Sequence, residues 1–436
     1  MRILLPPFLS LLLLNATASA QSPDPRSTWL AANAAPLRTV EWSDEDDADL
    51  ASIGRAIGSR RIVLLGEQTH GDGTTFEAKA RLIRYLHKRL GFDLLVFESG
   101  FYDCRRVWDD VLAGPSLPDV ADGCLFQLWS NSAQVRPLLE YVDRVKRSAR
   151  PLELAGFDFQ PSGRNGRRLF EDLDLFLQTQ SDSAALLRDL AAARGVYGLL
   201  YTGAARFREV PDSARRDARQ AIDRLRARSL HDRPAQGRLG EAAFWGQTLG
   251  GVRALGEFLW GLDPNAPTAA VANQRDSVMA DNLFWLATRH PSRRIVVWGA
   301  TSHLVRNRQA IENDAAPRMI PAGHRLAQAL PGQTYTIGFL AAEGAFGMAR
   351  IGTAVPRQEI PPPESGSLDA LWRDSGQRFA FLDLRALPSG GEWLLQPIVA
   401  RPMGYGATRA IWPNHVDGFI FTRRMAPSTP VRTTSP

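Results

Sequence analysis

Lysine and concentrated blocks of basic residues are scarce in this sequence. It contains only three lysines, so nearly all of its positive charge comes from arginine. The arginines alternate with acids, as in Arg216-Asp217 and Asp223-Arg224, and the formal net charge is only +6. A nucleic-acid surface requires basic residues gathered on one face. The pattern instead indicates a solvated face of mixed charge, and we expect no nucleic-acid partner.

The motifs of several enzyme classes are also missing. The sequence has no Gly-x-Ser-x-Gly nucleophile elbow, no His-Glu-x-x-His zinc helix, no P-loop and no dinucleotide-binding glycine fingerprint. Ser99 follows Glu98 but lacks the glycine pattern of an elbow. We therefore expect no cofactor, no metal and no covalent nucleophile. Direct attack by an activated water molecule is the chemistry that these absences favour.

Long apolar runs are confined to the amino terminus. Arg2, an apolar stretch that ends at Leu14 and small residues at 18–20 are typical of a secretory signal over residues 1–20. A short membrane anchor is the alternative, although a membrane span needs about 20 apolar residues. We expect an exported protein, periplasmic or secreted, without stable membrane insertion, whose mature chain of residues 21–436 begins at Gln21.

Cysteine is nearly absent, since Cys104 and Cys124 are the only two. An even number of cysteines in an exported chain favours one disulfide, which would join these two residues. Two buried free thiols are the alternative.

Apolar runs of strand length recur along the rest of the chain. They predict strands at 61–66, 93–98, 152–157, 294–299, 334–340 and 416–422. Residues 75–90 have helical periodicity between the first two strands, which predicts a βαβ unit and hence a largely parallel sheet in an α/β fold. Alanine, arginine and leucine at helical spacing predict a helical insertion at about 165–290 that covers the strand carboxyl ends. We expect one domain over 21–436 and a disordered tail at about 426–436.

Charged side chains stand at the ends of the first two predicted strands. The run 62–65 leads directly into Gly66-Glu67 and then His70, and the run 93–97 ends at Glu98. The carboxyl ends of parallel strands are where α/β proteins place their chemistry. We therefore expect two adjacent strand ends to bring Glu67, His70 and Glu98 into one crevice. Histidine titrates near neutrality, which suits His70 as a general base.

These segments form an ordered set that resembles the erythromycin esterase family. The set comprises Leu65-Gly66-Glu67-Gln68-Thr69-His70-Gly71, a helix with Lys79 and Arg81, Gly91-Phe92-Asp93 with Glu98, Gly156-Phe157-Asp158, Arg275 to Asn282, Val296-Val297-Trp298 with His303, and His415 to Phe421. The resemblance covers most of the mature chain. It implies an esterase fold and hydrolysis of an ester or lactone without a covalent intermediate.

The sequence departs from the family pattern at three positions. The family segment Trp-Ala-His-Asn-Ala-His reads Trp298-Gly299-Ala300-Thr301-Ser302-His303 here. It keeps the second histidine as His303 but has Ala300 and Thr301 in place of the first histidine and the asparagine. Lys79 stands where macrolide-hydrolysing members have arginine, which keeps the charge but loses the bidentate fork. These departures are compatible with hydrolysis of an ester or lactone, macrolactones included, but they predict that macrolide hydrolysis is slow or absent.

We assign four catalytic residues and three substrate-binding residues from this pattern. His70 would deprotonate water, Glu67 and Glu98 would position it, and His303 with Lys79 would stabilise the oxyanion or protonate the leaving alcohol. Asp158 and Arg275 are the remaining substrate-binding candidates, although Arg275 with Asp276 could equally form a structural pair.

Two other functions use the same residues. Glu67, His70, Glu98 and His303 could ligate a divalent ion in a metal-dependent hydrolase. The fold could also serve a non-catalytic small-molecule binding protein, for which the loss of the first family histidine at Ala300 is the best support. The partner expected in the leading hypothesis is a small-molecule ester or lactone, and the sequence leaves the oligomeric state open.

Overall fold

A nine-stranded, mostly parallel sheet runs through the described part of the protein. The computed structural model describes residues 23–233, 238–262, 269–316, 318–349 and 356–431. The predicted signal segment at 1–20 lies outside these residues. The strands are β1 (Ala35–Pro36), β2 (Ile62–Glu67), β3 (Leu94–Gly100), β4 (Glu153–Asp158), β5 (Ile295–Ala300), β6 (Thr334–Phe346), β7 (Gln358–Glu359), β8 (Phe379–Asp383), β9 (Ile398–Ala400), β10 (Thr408–Ala410) and β11 (Gly418–Met425).

The strand order is β1-β8-β11-β6-β2-β5-β3-β4, and β7 pairs with the far end of β6. The block from β11 to β4 is parallel, whereas β8 and β1 add an antiparallel edge. A largely parallel α/β sheet is therefore confirmed. The expectation that β2 and β3 are neighbours is wrong, because β5 lies between them and pairs with both.

Helices cover both faces of the sheet. They are α1 (Pro25–Asn33), α2 (Ala51–Ile57), α3 (Gly73–Leu90), α4 (Phe101–Ala113), α5 (Leu117–Val120), α6 (Gln127–Ser130), α7 (Arg136–Val145), α8 (Leu169–Gln178), α9 (Ser183–Tyr197), α10 (Leu199–Thr202), α11 (Ala204–Arg208), α12 (Asp212–Ala227), α13 (Ala242–Gly261), α14 (Ala269–Arg289), α15 (Thr301–Leu304), α16 (Ala322–Ala329) and α17 (Leu368–Asp374). The βαβ unit predicted around residues 75–90 is β2-α3-β3. Helix α3 ends where Gly91 takes a left-handed conformation with φ of 71°.

The central strands are buried on both faces, which explains their continuous apolar runs. Val63, Leu65 and Phe97 face a core shared with α3 and α4, whereas Leu64 and Val96 face the helices between β4 and β5. Those helices, α8 to α14, occupy the range predicted for the insertion and pack mainly on one sheet face. Helix α14 also carries polar residues to the carboxyl ends of β3 and β4.

Two sequence expectations require correction. Cys104 and Cys124 are both buried and free, so the predicted disulfide is not formed. Both side chains pack in the core as small apolar groups, and burial together with the hydrogen bond that the Cys104 thiol donates to Cys124 raises the pKa of Cys104. The predicted disordered tail is wrong for residues 426–431, because backbone amides of this segment hydrogen-bond to residues near His70 and near Trp129.

The described part of the chain contains no helix that combines the length and the hydropathy required of a membrane-spanning segment.

Candidate active site

The carboxyl ends of four neighbouring strands form one charged cluster. Strand β2 ends at Glu67, β5 ends at Ala300, β3 carries Glu98 and β4 ends at Asp158. Because these strands are parallel, their carboxyl ends meet at one edge of the sheet. Gly66 permits a close approach there, since a Cβ on this residue would lie 2.9 Å from the Thr301 Cα.

On the β2 side, the buried carboxylate of Glu67 organises three neighbouring side chains. Its Oε1 lies 2.9 Å from the Nδ1 of His70 and accepts a 3.3 Å hydrogen bond from the indole nitrogen of Trp129. Its Oε2 lies 2.5 Å from the Nζ of Lys79. The carboxylate acceptor places the imidazole proton on Nδ1, so the Nε2 lone pair of His70 is left as a base.

His70 is the most accessible member of this group, with 32% of its side chain exposed. The ring meets the Trp129 ring edge-on, with the two centroids 5.4 Å apart. Burial by itself would lower the pKa of His70. The hydrogen bond to Glu67 and the charge of Glu98 outweigh burial and the opposing charge of Arg275, so the pKa lies above its ordinary value of 6.5.

Lys79, which the sequence assigned to substrate binding, lies behind Glu67. Its ammonium group is fully buried and lies 4.2 Å from the centroid of the Trp298 ring. Burial lowers the pKa of Lys79 to about 8, although the charge of Glu67 opposes the shift. Lys79 therefore faces the Glu67 carboxylate and has no surface of its own in the crevice.

On the β3 side, Glu98 is held by the backbone and by an arginine. Its Oε2 accepts a 2.8 Å hydrogen bond from the Ala300 amide, and its Oε1 lies 3.1 Å from Arg275. Burial by itself would raise the pKa of Glu98. The positive charges of His303, His70 and Arg275 outweigh burial and lower it to about 2. Glu98 is therefore ionised near neutral pH, which makes it a poor proton donor.

His303, which follows β5, repeats the histidine–carboxylate pairing of His70 next to Glu98. Its Nδ1 lies 2.9 and 3.0 Å from the two carboxylate oxygens of Asp276, which also accepts the Ala322 amide. Its Nε2 lies 3.3 Å from Arg275 and 3.6 Å from Glu98. Asp276 was only a secondary candidate in the sequence, and the structure makes it the residue that orients His303.

Arg275 links the two remaining acids. Its guanidinium hydrogen-bonds to Asp158 at 2.6 Å and to Glu98 at 3.1 Å, and these two charges raise its pKa against the effect of burial. Asp158 is fully buried, whereas 20% of the Arg275 side chain is exposed. Asp158 therefore positions Arg275 and is not itself open to substrate, while Arg275 keeps an accessible surface in the crevice.

All seven residues assigned from the sequence belong to this cluster. The charges of Glu98 and Arg275 reach His70, which places the β2 and β3 sides within electrostatic range of each other. Their roles differ, because His70, His303 and Arg275 are partly exposed whereas Glu67, Lys79, Glu98 and Asp158 lie beneath them.

The carboxylates in this cluster already have cationic or backbone partners. Among the described residues, no group of three or more His, Cys, Asp and Glu side chains is arranged to hold a metal ion. Lys79 occupies one oxygen of Glu67, and Arg275 occupies one oxygen of Glu98. The donor set therefore does not fit the metal-dependent alternative.

Three residues near His70 were not assigned from the sequence. Trp129 lies on the short helix α6, and no motif marks it among the tryptophans. Asp72 is fully buried, accepts the Thr69 amide at 2.5 Å and accepts the Tyr405 hydroxyl at 2.8 Å. Burial raises the pKa of Asp72 to about 7. The available signal was the position of Asp72 two residues after His70, directly beyond the quoted motif.

The last piece of the family pattern has a structural role. The Nδ1 of His415 lies 2.8 Å from the carbonyl oxygen of Arg306, and Asp417 binds the guanidinium of Arg306 and the Thr336 amide. These contacts join the loops before β6 and β11. They do not reach the charged cluster described above.

Comparisons with known proteins agree with this arrangement. The erythromycin esterase family model matches residues 87–425. YbfO of Bacillus subtilis (strain 168), named as a putative hydrolase, is 27% identical over 427 residues, which cover 93% of this chain and 92% of YbfO. Erythromycin esterase type I of Escherichia coli is 23% identical over 329 residues, covering 71% and 74%.

A solved structure supports the same fold. An erythromycin esterase, a mutant of EreC in its open conformation, superimposes with a TM-score of 0.66 at 16% identity, covering 91% of this chain and 98% of EreC. The match of the family model includes Glu98, Asp158, Arg275 and His303, whereas the β2 segment with His70 precedes it. Because the model spans well over half of the sequence, this chain belongs to the erythromycin esterase family.

Proposed function

We propose that this hydrolase cleaves a carboxylic ester or lactone by attack of a water molecule that His70 activates. The observation that carries the proposal is the Glu67–His70 pair. An ionised carboxylate on Nδ1 leaves a basic Nε2 on a partly exposed ring. Water near neutral pH is a poor nucleophile unless a positioned base accepts its proton.

The proposed reaction proceeds in two steps. The water oxygen bonds to the carbonyl carbon as Nε2 of His70 takes the water proton, and the carbonyl electrons become an oxyanion. The carbon–oxygen bond to the leaving alcohol then breaks, and that alcohol receives a proton from the imidazolium. The products are a carboxylic acid and an alcohol.

Arg275 and His303 stabilise the oxyanion in this proposal. Both are partly exposed next to Glu98; the guanidinium of Arg275 supplies the hydrogen-bond donors, and the Nε2 of His303 accepts from that guanidinium and holds it in place. General base catalysis supplies roughly 10²- to 10⁴-fold, and one oxyanion donor a further 10²- to 10³-fold. Lys79 acts indirectly, since it neutralises Glu67 and keeps that carboxylate in place. Asp158 and Asp276 hold Arg275 and His303.

The substrate in this proposal is not a macrolide. Thr301 donates its hydroxyl to the Glu67 carbonyl and is buried, and Ala300 contributes its amide to Glu98. The family's first histidine and asparagine therefore have no polar counterpart facing the crevice at these two positions. We expect a smaller or differently shaped ester. Erythromycin turnover at about 10⁴ M⁻¹s⁻¹ or faster would contradict this assignment.

The proposed location is outside the cytoplasm, as the sequence pattern of residues 1–20 favours. N-terminal sequencing of the protein recovered from its native cells should begin at Gln21. An intact Met1 in the mature protein would overturn export without affecting the hydrolase assignment.

A screen of the purified protein tests the reaction. It should include 4-nitrophenyl esters of increasing acyl length, aliphatic lactones and erythromycin, each with and without chelator. We expect turnover of at least one ester that survives chelation and falls on replacement of His70 by Ala. His231→Ala is the matched control, because His231 is exposed in the helical region.

Two outcomes of this screen would replace the proposal. Activity that chelator removes and added metal restores would assign the site to a metal-dependent hydrolase. A bound ester that is recovered intact, with no turnover of any ester or lactone, would indicate a binding protein.

A further inference from the structure

Residues 426–431 run along the back of the turn that carries His70. The amide of Ser428 donates a 2.9 Å hydrogen bond to the carbonyl of Gly71, and Pro427 pairs with Asp72 as an isolated antiparallel bridge. Gly71 is the residue directly after His70. The segment therefore contacts the backbone on which the proposed base is mounted.

The same segment also binds the first turn of α3. The amide of Ala426 donates to the Thr74 hydroxyl at 2.9 Å, and the Thr74 amide donates back to the Ala426 carbonyl at 3.4 Å. The approach is so close that a Cβ on Gly73 would lie 2.5 Å from the Pro427 carbonyl oxygen. Only glycine fits at position 73, and its lack of a side chain permits this close backbone contact.

The other half of the segment binds the residues that follow α6. The buried hydroxyls of Ser428 and Ser132 are 2.8 Å apart, and Pro430 pairs with Ser132 as a second antiparallel bridge. The Ala133 amide donates to the Thr429 carbonyl at 2.8 Å. Helix α6 carries Trp129.

Both sets of contacts lead to His70, one through its own turn and the other through Trp129. The turn delivers the ring to Glu67, and Trp129 both meets that ring edge-on and donates to the same Glu67 oxygen. Residues 426–431 are bonded to the backbone on each side. A shift of this segment would change the distance between the imidazole and the carboxylate that orients it.

We infer that residues 426–431 form a clamp that holds the His70 turn and the Trp129 helix at a fixed separation, so that Thr74, Ser132 and Ser428 are positioning residues for the His70–Glu67 hydrogen bond. The catalytic consequence rests on the proposed function. The geometric claim does not, because the protonation of His70 can be measured without a substrate.

The charges with the largest effects on His70 are those of Glu67 and Glu98, which favour the imidazolium, and Arg275, which opposes it. Asp72 also lies in this turn, pairs with Pro427 of the clamp and has a pKa raised by burial to about 7. Thr74, Ser132 and Ser428 are uncharged, so replacing them removes none of these charges. A shift of the His70 midpoint that also occurs in the Asp72→Asn background therefore reports a change in geometry.

The test is an NMR titration of the His70 ring in the full-length protein, with the resonance identified by its absence in His70→Asn. Thr74→Val removes the acceptor of the Ala426 amide, whereas Thr74→Ser keeps it. We expect Thr74→Val to lower the His70 midpoint by about 0.5 pH unit, towards its ordinary value, because weakening the bond to Glu67 removes the effect that raises it. Thr74→Ser should keep the parent midpoint.

Thr422→Val is the matched control. Thr422 is a fully buried threonine of β11 whose hydroxyl donates to Leu340, away from the turn. It should lower the thermal midpoint of unfolding without moving the His70 titration. The clamp is wrong if Thr74→Val behaves in the same way as this control.

A second pair of variants keeps the inference testable if Thr74→Val does not fold. Ser428→Ala and Ser132→Ala each remove one side of the hydroxyl contact, and the double variant should show coupling in the His70 midpoint, not only in stability. Additive changes, or none, would overturn the clamp.

On an ester identified by the screen, a fall in kcat with KM unchanged should accompany the shift of the His70 midpoint. Absence of any esterase activity would contradict the proposed function and leave the titration result standing.

Discussion

The two histidine–carboxylate pairs of the cluster differ in the surroundings of the Nε2 atom of each histidine. His70 has Glu67 on its Nδ1, and 32% of its side chain is exposed. His303 has Asp276 on its Nδ1, is only 12% exposed, and directs its Nε2 towards Arg275 and Glu98. The same local pairing thus leaves one ring open to water and encloses the other among charges.

The difference shows how one motif can serve two purposes. A ring with an open Nε2 can accept a proton from water, whereas a ring whose Nε2 already has polar neighbours can hold or orient a group near them. The His70–Glu67 pair is suited to act as the base, and the His303–Asp276 pair is suited to assist at the oxyanion. The predictions below test whether this division of labour holds.

Glu67→Gln should have the largest combined effect on turnover and stability, because Glu67 contacts both His70 and Lys79. The amide no longer selects the useful tautomer, so turnover should fall by roughly 10²-fold, as for loss of the base itself. The fully buried ammonium of Lys79 also loses its partner, which should lower the free energy of unfolding by roughly 3 kcal/mol. Steady-state kinetics and urea denaturation measure the two effects.

Asp158→Asn is the control for that stability effect, since Asp158 is an equally buried acid that pairs with Arg275 instead of Lys79. The loss of stability should be smaller there, because Arg275 keeps Glu98 as a partner and is 20% exposed. Unchanged stability in Glu67→Gln would show that Lys79 is not held as an ion pair.

His70→Ala should lower turnover by roughly 10²-fold or more while changing stability little. The ring is partly exposed in the crevice and makes few packing contacts beyond Trp129. His303→Ala should lower turnover less, because in the proposed mechanism that ring only assists. Kinetics with one confirmed ester distinguish the two, and an equal or larger loss in His303→Ala would reverse the roles of the pairs.

Asp276→Asn should reduce turnover by about tenfold, the lower end of what loss of a histidine-orienting partner costs. The asparagine can still accept the Ala322 amide, so the fold should tolerate the change, but its amide donates to Nδ1 and moves the His303 proton to Nε2. The pH–rate profile should keep its acid limb, because His70 is untouched. A shifted acid limb would instead place the titrating base on His303.

Activity and the stability contributed by the His70–Glu67 pair should change in opposite directions with pH. The folded-state pKa of His70 is raised, so activity should fall as the pH drops through a midpoint above 6.5, where the imidazole becomes protonated. The stability that the His70–Glu67 pair contributes is fully present below the unfolded pKa and is lost as the pH rises through the folded pKa. A pH–rate profile whose acid limb lies below 6.5 would contradict the assignment of this ring as the base.

Lys79→Arg should have the smallest effect on rate, although it restores the residue of the macrolide-hydrolysing relatives. The position is fully enclosed, so the larger guanidinium should lower stability by about 1–3 kcal/mol through overpacking against Trp298. The charge beside Glu67 remains, so the His70 midpoint should stay in place. Thermal unfolding and the NMR titration check both statements, and a gain in macrolide turnover would mean that this side chain reaches substrate.

Much of the central sheet could be predicted from local patterns. The apolar runs near 62–67, 94–100, 153–158 and 295–300 are buried on both faces, and a fully buried parallel strand has a signal that can be read within six residues. Strand β8 was missed because it is a short antiparallel strand near the edge of the sheet. Its pairing partners β11 and β1 are distant in sequence.

The residues of the candidate site also divide into those that a local pattern predicts and those that it does not. Glu67, His70, Glu98 and His303 were found because each follows a strand, and the ends of parallel strands converge whatever their order. Trp129 was missed because it has no strand-end position. Residues 426–431 follow β11 but were predicted as a disordered tail. The contacts of both join residues about 60 to 350 apart, which no local pattern shows.

By itself, the sequence determined which residues stand at the carboxyl ends of the strands and therefore the chemistry available there. Local periodicity and turn residues decide that, through backbone geometry within a few residues. Only the tertiary structure decided that β5 lies between β2 and β3, that Lys79 is beneath Glu67, and that Asp276 orients His303. Those facts depend on packing between distant segments, where burial and charge pairing choose among partners that no local pattern can rank.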